Sequence, residues 1–303
     1  MKRMRLSTVE WNNRQLIVGE AEVPEKLVPL VEAGKEIGYA IPETMLELID
    51  SGEDGIKQVS AIMEWVREQG EEASILIDKK DVKWLAPIPR PLKNVFCVGK
   101  NYADHAIEMG SKEDIPEHVM LFTKAPTTVI GHEEGIPIHS ESTSQLDYEG
   151  ELAVIIGKKA KGITKEEAND YIFGYTIIND VTARDLQQRH KQFFIGKSLD
   201  GTCPIGPVIV HKSAFQTPLA LNITTKVNDE VRQRGNTNQF IFSIPEIIEV
   251  LTKGMTLEPG DVIATGTPAG VGKGFNPPKF LQVGDVIEIS VEGIGTLCNE
   301  VTK

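Results

Sequence analysis

The spacing of apolar and polar residues changes character near residue 90. Before that point, alternation over 4–10 and 15–20 predicts two strands joined by a tight turn at Asn12 and Asn13. Two helices are expected next, over 44–49 and 56–68. In the second, Ile56, Val59, Met63 and Val66 recur at helical spacing and share one face. The proline-rich run from Ala86 to Pro91 then breaks the pattern. It predicts a small N-terminal α+β domain over 1–88 and a larger domain over 89–303.

Past Pro91 the signals turn to β. Short apolar runs over 95–98, 153–156, 172–178, 207–210 and 221–227 read as strands. Asn228, Asp229 and Glu230 form a turn leading to a strand at Val231. Turns at 258–261, 283–285 and 292–295 feed further strands over 262–265, 286–291 and 296–301. A helix over 243–252 interrupts them. Thr164 and Glu167 have capping-box spacing, which predicts a helix linking the 153–156 and 172–178 strands. Many short strands and few helices give a mixed α/β, β-rich class with a rolled, barrel-like sheet in the larger domain.

Candidate chemistry gathers at two strand ends. Glu149 and Glu151 stand at i and i+2 at the head of an apolar run. On a strand, alternate side chains point the same way, so both carboxylates share one face. Adjacent carboxylates repel unless a proton or cation lies between them. The buried run over 172–178 ends at Asn179 and Asp180, which supplies a third acid. Together these three form a candidate all-oxygen site for Mg²⁺ or Mn²⁺. Just beyond, Thr182 or Asp180 is expected to cap a short helix carrying Arg184 and Gln187 at i, i+3.

The loop from Gly266 to Gly274 looks like a phosphate-binding loop, yet Thr267 stands where the nucleotide motif needs glycine. Gly274 follows Lys273 in place of Ser or Thr, and Asn276, Pro277 and Pro278 cannot open a helix. Its backbone donors and the Thr267 hydroxyl are instead expected to hold a small carboxylate. His105 and Glu108, three residues apart, share a helical face, and a carboxylate partner fixes an imidazole in one tautomer, as a general base requires. His118, His132, His139, His190 and His211 lack such a context and read as structural or exposed.

These pieces carry a resemblance. The motifs run in order through Gly99, Asn101, Tyr102, His105 and Glu108; Lys124 and Pro126; Asp147, Glu149 and Glu151; Asn179, Asp180 and Arg184; Lys197; and Thr265 to Gly272. Over roughly 89–301 the chain resembles the fumarylacetoacetate hydrolase family, in its bacterial branch of acylpyruvate hydrolases, oxaloacetate decarboxylases and hydroxymuconate-type isomerases. The resemblance implies a homodimer and an enzyme acting on short 2-oxo acids through a metal-bound enolate. It implies Glu149, Glu151 and Asp180 as metal ligands and His105, Glu108 and Lys197 as catalytic groups. Lys124, Arg184, Gln187 and Thr267 are implied as substrate-binding residues. If the leaving group is acyl, His105 and Glu108 must activate water; if it is a carboxylate, carbon dioxide departs without a nucleophile.

Two other readings stay open. One is an isomerase or decarboxylase for longer hydroxymuconate-type diacids, with Lys124, Arg232 or Arg234 meeting a distal carboxylate. The other is a non-catalytic metal-binding assembly protein, against which the full set of acids, His105 and Glu108 counts. Composition narrows the partners. A net charge of −12 and no basic stripe oppose nucleic-acid binding. No apolar run is long enough to span a bilayer, and the opening Met1, Lys2 and Arg3 precede no leader-like segment. The three cysteines, Cys97, Cys203 and Cys298, are widely spaced without a zinc or disulfide pattern, so a reducing cytoplasm is expected.

Overall fold

Asn12 and Asn13 take φ values of 50° and 59°, the left-handed pair that a two-residue hairpin requires and asparagine tolerates. In this computed structural model, which describes residues 3–70 and 73–303, the hairpin strands Arg5–Trp11 and Arg14–Glu20 pair antiparallel around that turn. Met1 and Lys2, the head of the charged opening run, lie outside the described residues. Strand Lys26–Pro29 and helix Leu30–Glu36 follow. The sequence pattern missed both, because the apolar run over 27–31 has neither a two-residue nor a helical period. Helix Met45–Asp50 begins at the capping box formed by Thr44 and Glu47. Helix Gly52–Gln69 buries Val59 and Val66 as expected, with Ile62 and Gly55 also on the inner face and Ile56 and Met63 partly buried against the same core.

Among the described residues, a 12-stranded sheet crosses the boundary expected at the prolines. Strand Arg5–Trp11 pairs with Cys203–His211 through Arg5↔Val210 and Leu6↔Ile209. The order continues through Ile172–Asn179, Gly150–Ile156, Val262–Ala264, Val95–Gly99 and Met120–Lys124. Leu6, Ile17, Val59 and Ile62 share one core with Ile155, Phe173, Ile178 and Ile209. Residues before 88 and after 89 therefore share both a sheet and a core.

The two central strands, Gly150–Ile156 and Ile172–Asn179, are buried along their whole length. Their alternation divides them between two cores. Leu152, Val154, Tyr175 and Ile177 face a 5-stranded sheet and pack with Ile223, Ile287, Ile289 and Leu297, while Ala153 and Ile155 face the other way. Each aliphatic side chain buried like this contributes about 1.5–3 kcal/mol. The chain is thus mixed α/β and rich in sheet, with no closed barrel among the described residues.

The helix expected between those strands is absent. Glu167 Oε2 does accept from Thr164 N at 2.9 Å and Oγ1 at 3.0 Å, but only turns and the 3₁₀ segment Ala168–Tyr171 follow. The strands are antiparallel neighbours, and such a pair needs a loop, not a crossover helix. No helix among the described residues is long and apolar enough to cross a membrane.

Arg5 ties the first strand to distant parts of the chain. Its Nη2 donates to Ile294 O at 2.7 Å, and its Nε donates to Glu20. Lys79 Nζ donates to the other Glu20 oxygen at 2.6 Å. Burial pushes the Glu20 carboxyl up, but Lys79 and Arg5 outweigh it and hold it below the usual carboxylate range. A depressed folded-state value stabilises the fold above the unfolded value near 4.3 and is lost as pH falls through the folded one. Glu20→Gln should therefore cost about 1 kcal/mol at pH 7, the pair being partly solvated. The penalty should shrink below about pH 4; a penalty equal at pH 7 and pH 3 in urea melts would contradict this.

Candidate active site

Strand register brings the three acids together. Gly150 lies opposite Asn179 and Glu151 opposite Ile178. Just outside that register, Asp180 N donates to Glu149 O at 2.9 Å, and Glu149 N donates to Asn179 Oδ1 at 3.0 Å. One carboxylate oxygen from each of Glu149, Glu151 and Asp180 lies within 4.8 Å of the other two, and all three residues are buried. Gly150 between the glutamates has a steric reason. A Cβ there would come 2.2 Å from Thr225 Oγ1 on the facing sheet.

Cations of the chain surround these acids. Lys197 Nζ bridges Glu149 Oε2 at 2.7 Å and Asp180 Oδ2 at 2.6 Å. Arg184 Nη1 meets Glu149 Oε1 at 2.7 Å, and its Nε donates to Asp147 Oδ2 at 2.8 Å. Lys124 Nζ sits 2.9 Å from Asp180 Oδ1 and donates to Val181 O at 2.8 Å. Burial pushes Glu149 up, but Lys197, Arg184 and His105 outweigh it and hold the carboxyl well below its ordinary range. Glu151 goes the other way. Burial raises it, the Asp180 and Glu149 charges raise it further, and Lys197 and the Gly266 N–H offset only part. Burial lowers Lys197, yet Asp180 and Glu149 carry it above the ordinary lysine value.

The donor set fits a hard divalent cation. It consists of carboxylate oxygens alone, gathered from adjacent strand ends, and Glu151 has no lysine or arginine of its own. Among the described residues Asp180 Oδ1 makes no hydrogen bond, although Lys124 Nζ lies 2.9 Å away as an ion pair. Such a set suits Mg²⁺ and Mn²⁺ equally.

His105 and Glu108 lie on helix Ala103–Glu108, which starts beside Asn101. Asn101 is fully buried and stitches that start to two other segments, donating to Thr265 O and Phe242 O and accepting from Phe242 N. His105 Nδ1 lies 3.4 Å from Glu108 Oε2, as the spacing predicts. Glu108 is also held by Gly270 N, at 2.9 Å and 3.1 Å from its two oxygens.

The glycine-rich loop departs from expectation here. Gly266 N donates to Glu151 Oε2 at 2.7 Å, and Gly272 N and Lys273 N donate to Asp147 at 2.7 Å and 3.0 Å. These loop donors hold the chain's own carboxylates, not a ligand's. Gly270 takes φ 105°, and a Cβ there would fall 1.9 Å from Arg232 O, so only glycine fits. Thr267 lines the site, but its hydroxyl donates to Gly150 O at 2.9 Å and accepts from Gln233 Nε2 at 2.7 Å. The hydroxyl is thus engaged on both sides by the chain's own groups.

A cavity of about 380 Å³ opens over the cluster, lined by His105, Glu149, Glu151, Arg184, Gln187, Lys197 and Thr267. Phe122, Phe193, Met109 and Met120 form its apolar walls, with Lys100, Gln188 and Lys191 also on the lining. Gln187 Oε1 accepts from Arg184 Nη1 at 3.3 Å. Arg184 Nη2 is buried with no partner, and a carboxylate ligand would satisfy it. Two expectations need correcting. Lys124 does not line the cavity, because Asp180 holds it at full burial. Helix Arg184–His190 has Ala183 at its start and no side-chain cap; Thr182 Oγ1 donates to Asp180 O instead.

Asp147 and Gln233 were not singled out. Asp147 anchors Arg184 and the loop, and its signal was the acid two residues before Glu149. Gln233 binds Gly150 N through Oε1 at 3.0 Å, and Thr267 Oγ1 and Pro268 O through Nε2 at 2.7 Å and 2.8 Å. Its signal was faint, a neutral amide between Arg232 and Arg234 on strand Glu230–Asn236.

Comparison with known proteins agrees with this geometry. Residues 94–302 match the fumarylacetoacetate (FAA) hydrolase C-terminal family model. The chain is 56% identical over 301 residues to oxaloacetate tautomerase YisK of Bacillus subtilis strain 168, covering 98% of this chain and 100% of that protein. Among solved structures, a fumarylacetoacetate hydrolase from the psychrophile Exiguobacterium antarcticum superposes with a TM-score of 0.82 at 44% identity, over 99% of both chains. A 5-carboxymethyl-2-hydroxymuconate delta-isomerase from Mycobacterium smegmatis gives 0.74 at 33%, over 99% of this chain and 98% of that one. By sequence, fold and site, the chain belongs to the fumarylacetoacetate hydrolase family.

Proposed function

We propose that the protein is a divalent-cation-dependent enzyme acting on oxaloacetate, and that its principal reaction is keto–enol interconversion. The observation that carries the reading is one cavity lined by Glu149 and Glu151 of the three-acid cluster, by Arg184, whose Nη2 is unpartnered among the described residues, and by His105, which Glu108 contacts. The 56% identity to an oxaloacetate tautomerase supports the choice of substrate and reaction over hydrolysis or decarboxylation. A cation held by Glu149, Glu151 and Asp180 would supply Lewis-acid polarisation of a 2-oxo acid.

The chain's own residues do the rest. Arg184 is held rigid by Asp147 and Glu149, so its free nitrogen can orient a substrate carboxylate. Lys197 adds positive charge beside the reacting end, and Gln187 braces the guanidinium. Interconversion moves one proton between C3 and the C2 oxygen and breaks no carbon–carbon bond. His105 is the cavity-lining group that can take and return that proton, and Glu108 fixes its orientation. Phe122 and Phe193 limit water at the site.

The longer hydroxymuconate-type diacid is less well supported. Lys124, Arg232 and Arg234, the cations expected to meet its far carboxylate, are not on the cavity lining. Arg232 lies over the Tyr148 and Phe275 rings instead. A compact diacid fits the volume, with Lys191 available to its second carboxylate.

The deciding experiment follows purified protein with Mg²⁺ or Mn²⁺ on enol-oxaloacetate, measuring enol loss optically and pyruvate release in a coupled assay, with acetylpyruvate in parallel. Enol loss should outrun pyruvate release, and acetylpyruvate cleavage should be slower still. Faster pyruvate release or acetylpyruvate cleavage would reverse the assignment. In the same assay, His105→Ala should slow interconversion about 10²–10⁴-fold, and a near-wild-type rate would remove the proton-transfer role. Separately, Glu151→Gln should lower Mn²⁺ affinity at least about tenfold in calorimetry, with unchanged circular dichroism. Equal affinity would remove Glu151 from the ligand set.

A further inference from the structure

We infer that Gln233, a residue on the facing sheet, is the positioning residue that sets the spacing of the Glu149–Glu151 carboxylate pair. The inference rests on the cation site proposed above. Gln233 is fully buried, and a buried amide is tolerated only when its donors and acceptor are used. Here they are. Oε1 accepts from Gly150 N at 3.0 Å, while the two Nε2 protons go to Thr267 Oγ1 at 2.7 Å and Pro268 O at 2.8 Å. These partners fix the amide orientation, since the reverse would oppose Nε2 to the Gly150 N–H and Oε1 to the Pro268 carbonyl.

The consequence passes to the next group. Because Thr267 Oγ1 accepts from Gln233, its own proton points to Gly150 O at 2.9 Å. Both polar groups of Gly150 are then clamped, its N–H by Gln233 and its carbonyl by Thr267. Gly150 is the residue from which Glu149 and Glu151 diverge, and it has no side chain of its own to resist rotation. Like charges on either side push the two carboxylates apart. Without the clamp, rotation of this flexible residue would relieve that repulsion and spoil the converging oxygens. Glu149 is additionally held by Asn179, Lys197 and Arg184. Glu151 has only the Gly266 N–H, so the clamp matters most on its side.

The test is Mn²⁺ affinity by calorimetry, read without substrate and beside thermal melts. Gln233→Met keeps the volume and removes the hydrogen bonds, and should weaken Mn²⁺ binding about 10–100-fold. The control is Asn299→Leu. Asn299 is another buried amide, donating to Gly131 O and Glu134 O at 2.8 Å each, away from the cavity. It should lower the melting temperature comparably and leave Mn²⁺ affinity unchanged. Gln233→Asn keeps the amide but is too short to span both neighbours; it should fold and bind with intermediate affinity, which covers a Gln233→Met that does not fold. Wild-type affinity in a folded Gln233 variant, or an equal loss in Asn299→Leu, overturns the positioning role alone. Failure of the wild-type protein to bind Mn²⁺ would overturn the cation site and this inference together.

Discussion

Carboxylates cannot share a dry interior without counter-charge, and this chain buries Asp147, Glu149, Glu151 and Asp180 in one place. Even at an effective dielectric near 20, two unit charges 4 Å apart interact by about 4 kcal/mol. Arg184, Lys197 and Lys124 answer that repulsion from inside the cluster. Arg184 pairs with Asp147 and Glu149, Lys197 with Glu149 and Asp180, and Lys124 with Asp180 alone. Glu151 is left over, with one backbone donor and no lysine or arginine. Its carboxyl is accordingly the one held up toward the neutral form. The imbalance makes this cluster the place in the core where the proposed divalent cation would be best received.

The same constraint organises the backbone around it. Carboxylates of Glu151, Glu108 and Asp147 draw the N–H groups of Gly266, Gly270, Gly272 and Lys273 toward them. Hydrogen bonds to charged groups contribute about 1.5–3 kcal/mol each, more than neutral ones. That accounts for a long loop with little regular structure passing over the site in a defined path. It also accounts for the glycine at 270, whose φ and close approach to Arg232 exclude any side chain.

The acids, His105, Glu108, Arg184 and Gln187 were legible because local spacing carries their geometry. An i, i+2 pair on a strand and i, i+3 pairs on helices need no knowledge of the tertiary fold. The turn at Asn12 and Asn13 was legible for the same reason. What the sequence hid depends on pairing across long separations. Nothing near Arg5 or Leu6 announces partners at Val210 and Ile209, so a break at the prolines was the natural reading although the sheet runs through it. Lys124 was placed toward substrate because a lysine in a motif suggests a ligand, whereas its buried neighbour Asp180 takes it. At Thr164 only the Glu167 side-chain half of the capping box formed, and a cap signal does not make a helix where the strands it joins are adjacent. Gln233 was hidden because its value lies in two segments that only the facing sheet brings to it.

Glu108 shows how the two halves of the site depend on each other. It orients His105 across 3.4 Å, a loose contact, but it accepts from Gly270 N at 2.9 Å and 3.1 Å. The tighter bonds decide its position, so the imidazole takes its orientation from the loop as much as from its own helix. That loop is fixed in turn by Glu151 and Asp147. Glu151 belongs to the buried three-acid cluster, and Asp147 pairs with Arg184. A movement of helix Ala103–Glu108 away from the cavity would therefore have to break the bifurcated charge-assisted bond from Gly270 N, costing about 1.5–3 kcal/mol. It would also loosen a loop that two site carboxylates share. The proposed proton-transfer, carboxylate-binding and cation-binding groups thus all lean on a single stretch of backbone. Order at the carboxylate cluster is transmitted to His105 through the loop main chain and the Glu108 carboxylate that bonds to it.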